Sequence, residues 1–249
     1  MRVLRRVVAL ALVALCVGVV VAYQSDRPAA ATPNPVVFVP SAGFYRNFSP
    51  SVRTTIADVY WLYAIQYYGE HVKSDHKLDS LPAMVQLVTA LSPHFTQAYF
   101  SGAFAMLDVG RPDVAYGLLE RGYAANPRNW RFPFYLGFFA YAYASGSHKD
   151  IVAAQWYARA ARLPGAPAFV PRMAAELAAK GNATQTAIDL WTQVYCQGGT
   201  YAQQKAISAL DRLLPKGKTA REKAVGALES AVPHALFAQF VADLFQGYQ

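Results

Sequence analysis

Three hydrophobic patterns follow one another along the chain. Behind the basic stretch Met1 to Arg6, Val7 to Ala22 form an uninterrupted apolar run. From Ser25 to about Pro50 the chain is dense in proline, alanine and serine, and neither a helical nor an alternating period is sustained, which is the character of a tether. From Val52 onward apolar residues recur at three- and four-residue intervals, broken by proline or glycine, the signature of successive amphipathic helices. This spacing predicts a helix carrying Trp61, Ile65 and Tyr68, a polar loop from Glu70 to Asp79, and a helix carrying Ala83, Leu87 and Ala90 that ends near Pro93. After Gly198-Gly199 three further helical stretches are expected, about Tyr201 to Leu214, Thr219 to Ala231 and His234 to Gln246.

The helices repeat. Pro93 and Pro127 are 34 residues apart, and each follows an Ala- and Leu-rich helix. In the segment between them Tyr99 takes the fourth position, Gly102 and Ala103 the seventh and eighth, Met106 the eleventh, Ala115 the twentieth, Leu119 the twenty-fourth and Gly122 the twenty-seventh. With Pro127 closing the unit, this pattern resembles the tetratricopeptide repeat (TPR) family. The next unit carries Leu136-Gly137, Ala153, Tyr157 and Ala160, with a turn from Ser145 to Asp150 that is longer than the family norm. A fourth unit, from about Ala168 to Gln197, has Gly181-Asn182 as its turn and Ala187, Trp191 and Val194 on its second helix. The likeness is strongest in the two central units and looser at the flanks. It implies an all-α right-handed superhelix of about four helix pairs with C-terminal capping helices. The expected organisation is 1–24 signal anchor or signal peptide, 25–51 tether, 52–199 repeats and 200–249 C-terminal helices and cap. The small residues are the ones close helix packing requires, and Tyr99, Tyr157 and Trp191 fill the spaces between.

The apolar run reaches roughly 24 Å as a helix, the short end of a bilayer crossing. Val20-Val21-Ala22 and Ala29-Ala30-Ala31 are both acceptable to a signal peptidase, but the run exceeds the usual signal core, which favours an uncleaved anchor. Leu15 before Cys16 speaks against lipidation. With the basic end held inside, the body is expected on the extracytoplasmic side.

In TPR proteins the first helices of successive units line a concave groove. The corresponding positions here are Val59, Leu62 and Gln66; Gln97, Phe100, Phe104 and Leu107; Arg131, Phe134, Phe138 and Tyr141; and Phe169, Arg172 and Glu176. The partner-binding set read from them is Leu62, Gln66, Gln97, Phe100, Phe104, Arg131, Phe134, Phe138, Tyr141 and Arg172. Such a groove is aromatic and holds few cations, which suits an apolar or proline-rich segment, or a helix. The competing account makes the same aromatics core, covered by the C-terminal helices or by Val36 to Val39.

Charge and chemistry narrow the function. A formal +8 and a pI near 9.5 invite a nucleic-acid reading, but the cations are scattered and no nucleic-acid partner is expected. The one cluster, Lys216, Lys218, Arg221 and Lys223 after Arg212, reads as solvated surface, with an acidic partner or anionic lipid as the alternative. Cys16 and Cys196 are too few for a disulfide framework or a cysteine metal site. His71, His76, His94, His148 and His234 are scattered, and neither a nucleophile elbow nor a phosphate loop is present, so no metal, cofactor or small-molecule substrate is expected. Asp79, Asp113 and Asp150 suit helix starts, whereas Asp58, in an apolar helix, calls for a buried Arg or Tyr partner. The function expected is a non-catalytic scaffold, anchored at its N-terminus, that binds protein partners and supports assembly of a membrane or envelope complex. The alternatives are a permanently bound accessory subunit, or an all-helical enzyme such as a lyase, for which Glu176 is the one groove carboxylate.

Overall fold

The computed structural model describes residues 38–45 and 47–246, together with 14, 15, 18 and 19. The chain divides into two units, Met1–Phe38 and Val39–Gln249. Most of the first unit, including nearly all of the expected anchor, lies outside the described residues. Among the described residues no helix is long and apolar enough to cross a membrane.

The second unit is the body, and its described residues are all helix, turn and loop. It starts with a 3-10 turn, Ala42–Tyr45, followed by eleven α-helices: α1 (Pro50–His71), α2 (Leu81–Leu91), α3 (Thr96–Asp108), α4 (Pro112–Ala125), α5 (Arg131–Tyr143), α6 (Lys149–Ala161), α7 (Phe169–Lys180), α8 (Thr184–Gln197), α9 (Thr200–Leu213), α10 (Lys218–Gly226) and α11 (His234–Phe245). Each α-helix expected from the spacing is present. Of the segment read as a tether, residues 39–49 belong to the body. Val36 and Val37 lie outside the described residues, but Val39 packs on a cluster of Tyr45, Ala57, Leu87, Val88, Leu91 and Ala98 at the base of α1–α3.

Local chemistry sets the helix ends. The Ser49 hydroxyl accepts from the Val52 N–H at 3.4 Å ahead of Pro50, and Pro112 opens α4, where an absent N–H costs nothing. At the α3–α4 turn Gly110 has φ +69°, with Arg111 N–H donating to the Met106 carbonyl at 2.8 Å and Gly110 N–H to that of Leu107 at 2.9 Å. The α7–α8 turn repeats this Schellman geometry at Asn182, φ +61°, through Ala183 to Ala178 and Asn182 to Ala179. The α5–α6 connection is longer, as the spacing indicated.

The architecture is a helical repeat in which α1 to α9 pack chiefly on their neighbours in the chain, while α11 packs back on α9. Loops one repeat apart are tied together: Asn126 Nδ2 donates to the Pro93 carbonyl at 2.9 Å, and Asn126 Oδ1 lies 3.1 Å from His94 Nδ1. The small residues have the role assigned to them. A Cβ added at Gly102 would sit 2.5 Å from Val85 Cγ1, and one at Gly122 would overlap the Phe132 ring and lie 2.8 Å from Tyr99 Cδ1. A second core runs from Ala140 to Leu244 and includes the C-terminal helices.

Within that core Tyr157 is fully buried, and burial pushes its phenol up to about 12. The folded state therefore holds this proton more tightly than the unfolded chain, where a tyrosine ionises near 10. The resulting stability is complete below about pH 10 and is lost as pH rises toward about 12. Alkaline unfolding followed by circular dichroism should show this fall in the wild type, and Tyr157→Phe should flatten it across that window.

Candidate functional site

Ring contacts establish how the first helices of the pairs lie. Trp61 meets Phe95, just before α3, at 5.5 Å, and Tyr68 donates to the Asp108 carboxylate at the far end of α3. Thus α1 and α3 run in the same direction. Phe100 contacts Tyr135 at 5.2 Å, and one turn later Phe104 contacts Phe138 at 6.5 Å and Phe139 at 5.9 Å, which places α5 parallel to α3. Phe134 then meets Phe169 at 6.0 Å, while Lys180 Nζ sits 5.0 Å from the Tyr141 ring, so α7 continues the row. One aromatic strip crosses α3, α5 and α7.

Between α1, α3 and α5, with Leu81 and Val85 of α2 behind, lies a cavity of about 640 Å³. Its walls are mainly Trp61, Ile65, Phe100, Phe104 and Tyr135, and its polar groups are Gln97, Ser101, Arg131 and Tyr68. Gln97 Nε2 donates to Ser101 Oγ at 2.8 Å. The Asp108 carboxylate beside Tyr68 holds that phenol above its usual range, with burial adding to the effect.

Of the expected groove residues, Gln97, Phe100, Phe104 and Arg131 line this cavity together. Phe134 and Phe138 are half-buried on the neighbouring stretch of the strip, partly packed on the second core. Tyr141 is 40% exposed, and Arg172 lies over the Tyr201 ring at 5.8 Å. Leu62 and Gln66 are not brought to the cavity. Leu62 is 60% exposed, and with Val52, Val59 and Tyr63 it forms an outward apolar stripe, while Trp61, Ala64, Ile65 and Tyr68 take the inner face. A displacement of one position along a helix is about 100° of rotation. In α1, the divergent first unit, no 34-residue register pins that rotation. Trp61, Ile65 and Tyr68 were legible as one helical face, but not as cavity wall.

The C-terminal helices and residues 38–45 do not line this cavity. Asp58 is exposed, and the carboxylates engaged by tyrosines are Asp108 with Tyr68 and Asp243 with Tyr195 at 2.6 Å. Glu176 is exposed on α7. Among the described residues no group of three or more His, Cys, Asp or Glu is placed to hold a metal ion. Arg221, read as part of a surface patch, is instead wholly buried: it donates to Asp211 Oδ1 at 2.8 Å and to the Leu244 carbonyl at 3.0 Å. A lone basic residue within a basic run carries no sequence signal of burial. No protein-family model matches the sequence, and comparison with curated proteins finds no match, so the tetratricopeptide likeness rests on the repeat spacing of the sequence.

Proposed function

We propose that the chain is a TPR-type scaffold, its helix pairs winding as a right-handed superhelix. An N-terminal segment anchors it to a membrane, and its body on the extracytoplasmic side binds a protein partner. The observation that carries this reading is the aromatic strip across three parallel first helices, with Phe104, Tyr141 and Phe169 each substantially exposed. Contiguous exposed aromatics on a folded body are covered by something, and rigid rings flanked by few fixed charges suit an apolar or helical segment of another protein. No chemistry is assigned to the groove, and the reading is of a binding protein rather than an enzyme.

The test is a photoreactive phenylalanine analogue at Phe138 in intact cells. One dominant adduct with another protein is expected, absent when the analogue replaces the outward-facing Gln155. Adducts only within the chain, to Phe104 or Tyr143, would show the strip to be core.

The stripe of Val52, Val59, Leu62 and Tyr63 on α1 favours a second reading, a permanently bound accessory subunit. A terminal repeat helix with an apolar outer face needs a cover. Co-purification that survives high salt and mild detergent distinguishes this fixed subunit from a transient adaptor.

A further inference from the structure

We infer that the α1–α3–α5 cavity is a binding site for a small amphipathic carboxylate, a medium-length acyl chain or similar apolar body ending in a single anionic group, held with that group at Arg131. This occupant differs from the protein partner assigned to the strip across α3, α5 and α7, although Phe104 belongs to both the strip and the cavity wall, and it is bound without any bond being made or broken.

Three features of the cavity specify it. The first is size and lining: a half-open cleft of about 640 Å³ lined mainly by aromatic and aliphatic side chains lies in the size range of small-ligand sites, which are apolar with a few placed polar groups. The stretch of α3 along it, from Gln97 to Ala105, spans roughly 12 Å, the reach of an acyl chain rather than of a folded segment.

The second is a guanidinium at one end. Arg131 is exposed at the cavity edge and makes no ion pair with any described residue; its contact there is the Trp130 ring, 6.0 Å away. A planar fork of donors matches a carboxylate geometrically. Gln97, in the first turn of α3, and Ser101, one turn further along and accepting from Gln97, add polar groups beside it.

The third is a fixed polarity. Gln97 and Arg131 stand in the first turns of α3 and α5, whose parallel N-termini bring the positive ends of two helix dipoles to this end of the cavity. At the other end the α1 and α3 C-termini meet beside the Tyr68–Asp108 pair, and the Asp108 carboxylate repels an anion there. A monocarboxylate therefore has one favoured direction, and an apolar cation of the same shape favours the opposite one, with its charge toward Asp108.

The experiment is calorimetric titration of the full chain in lipid nanodiscs with octanoate, octanol and octylammonium. Octanoate is expected to bind saturably at one site, whereas any binding of octylammonium, turned the other way, should not weaken when Arg131 is replaced. Arg131→Gln, a change at an exposed side chain, should weaken octanoate about tenfold and leave octanol unchanged. Ser101→Phe, which fills the cavity, should abolish both while circular dichroism stays native. Octanoate binding indifferent to Arg131→Gln would overturn the proposal, as would saturable binding of an amphipathic peptide without any of octanoate. Phe138 crosslinking tests the scaffold reading separately, so either can fail alone.

Discussion

Phe132→Ala should lower the unfolding free energy by about 3–5 kcal/mol, the range for truncating a fully buried aromatic. Phe132 is 0% exposed. Its ring meets Tyr99 edge-on at 5.6 Å and lies 4.6 Å from Phe100, and Gly122 is small because the Phe132 ring occupies the space a Cβ would need. One side chain thus joins α3, α4 and α5 and backs the Phe100 wall of the cavity. In a stack stabilised by nearest-neighbour interfaces, its loss should uncouple the α1–α4 half from the rest. Urea unfolding should show a lower midpoint, and the broadened transition of a stack that no longer melts as one unit. Leu62→Ala, on the exposed stripe, should change stability by no more than about 0.5 kcal/mol. Comparable losses at the two positions would mean that α1 is covered by another surface.

Arg221→Ala should cost about 3 kcal/mol and localise its damage to the C-terminal cap. The buried guanidinium joins Asp211 of α9 to the Leu244 carbonyl of α11 and lies 5.6 Å from the Phe245 ring. Truncation leaves a void the size of a long side chain and removes a donor from a helix-terminal carbonyl. Arg221→Met keeps most of the volume and should recover all but about 1 kcal/mol, because an ion pair whose Asp211 partner stays half-exposed contributes little beyond what a well-packed apolar replacement supplies. Hydrogen exchange is the measurement: amides of α10 and α11 should lose protection in the alanine variant, while those of α3–α5 keep theirs. Equal damage from Ala and Met would assign the role to the charge itself.

At these two positions burial is set by the packed stack and leaves no trace in the local sequence. Phe132 and Phe134 are both aromatics in the first turn of α5, two residues apart, and nothing in their order says that one is core and the other half-exposed strip. Arg221 sits among Lys218, Glu222 and Lys223, in a helix whose composition is that of a surface. By contrast, Gly102 and Gly122 were readable because close approach leaves its trace in residue size. The turns at Gly110 and Asn182 were readable because left-handed backbone favours few residue types.

By itself the sequence determined the helical class of the body, the order and approximate ends of its helices, the repeat spacing, and the central row of Gln97, Phe100, Phe104 and Arg131. These follow from local rules: periodicity, proline and glycine breaks, and a repeat length that sets which faces meet. Only the tertiary structure decided the rotation of α1, which turns Leu62 and Gln66 outward and Trp61, Ile65 and Tyr68 toward the cavity, the half-open cavity walled in part by the strip, and the burial of Arg221. Each depends on contacts between helices far apart in the chain, such as Tyr68 with Asp108 and Arg221 with the α11 end. A helical period states which residues share a face; which neighbour that face meets is a property of the packed stack.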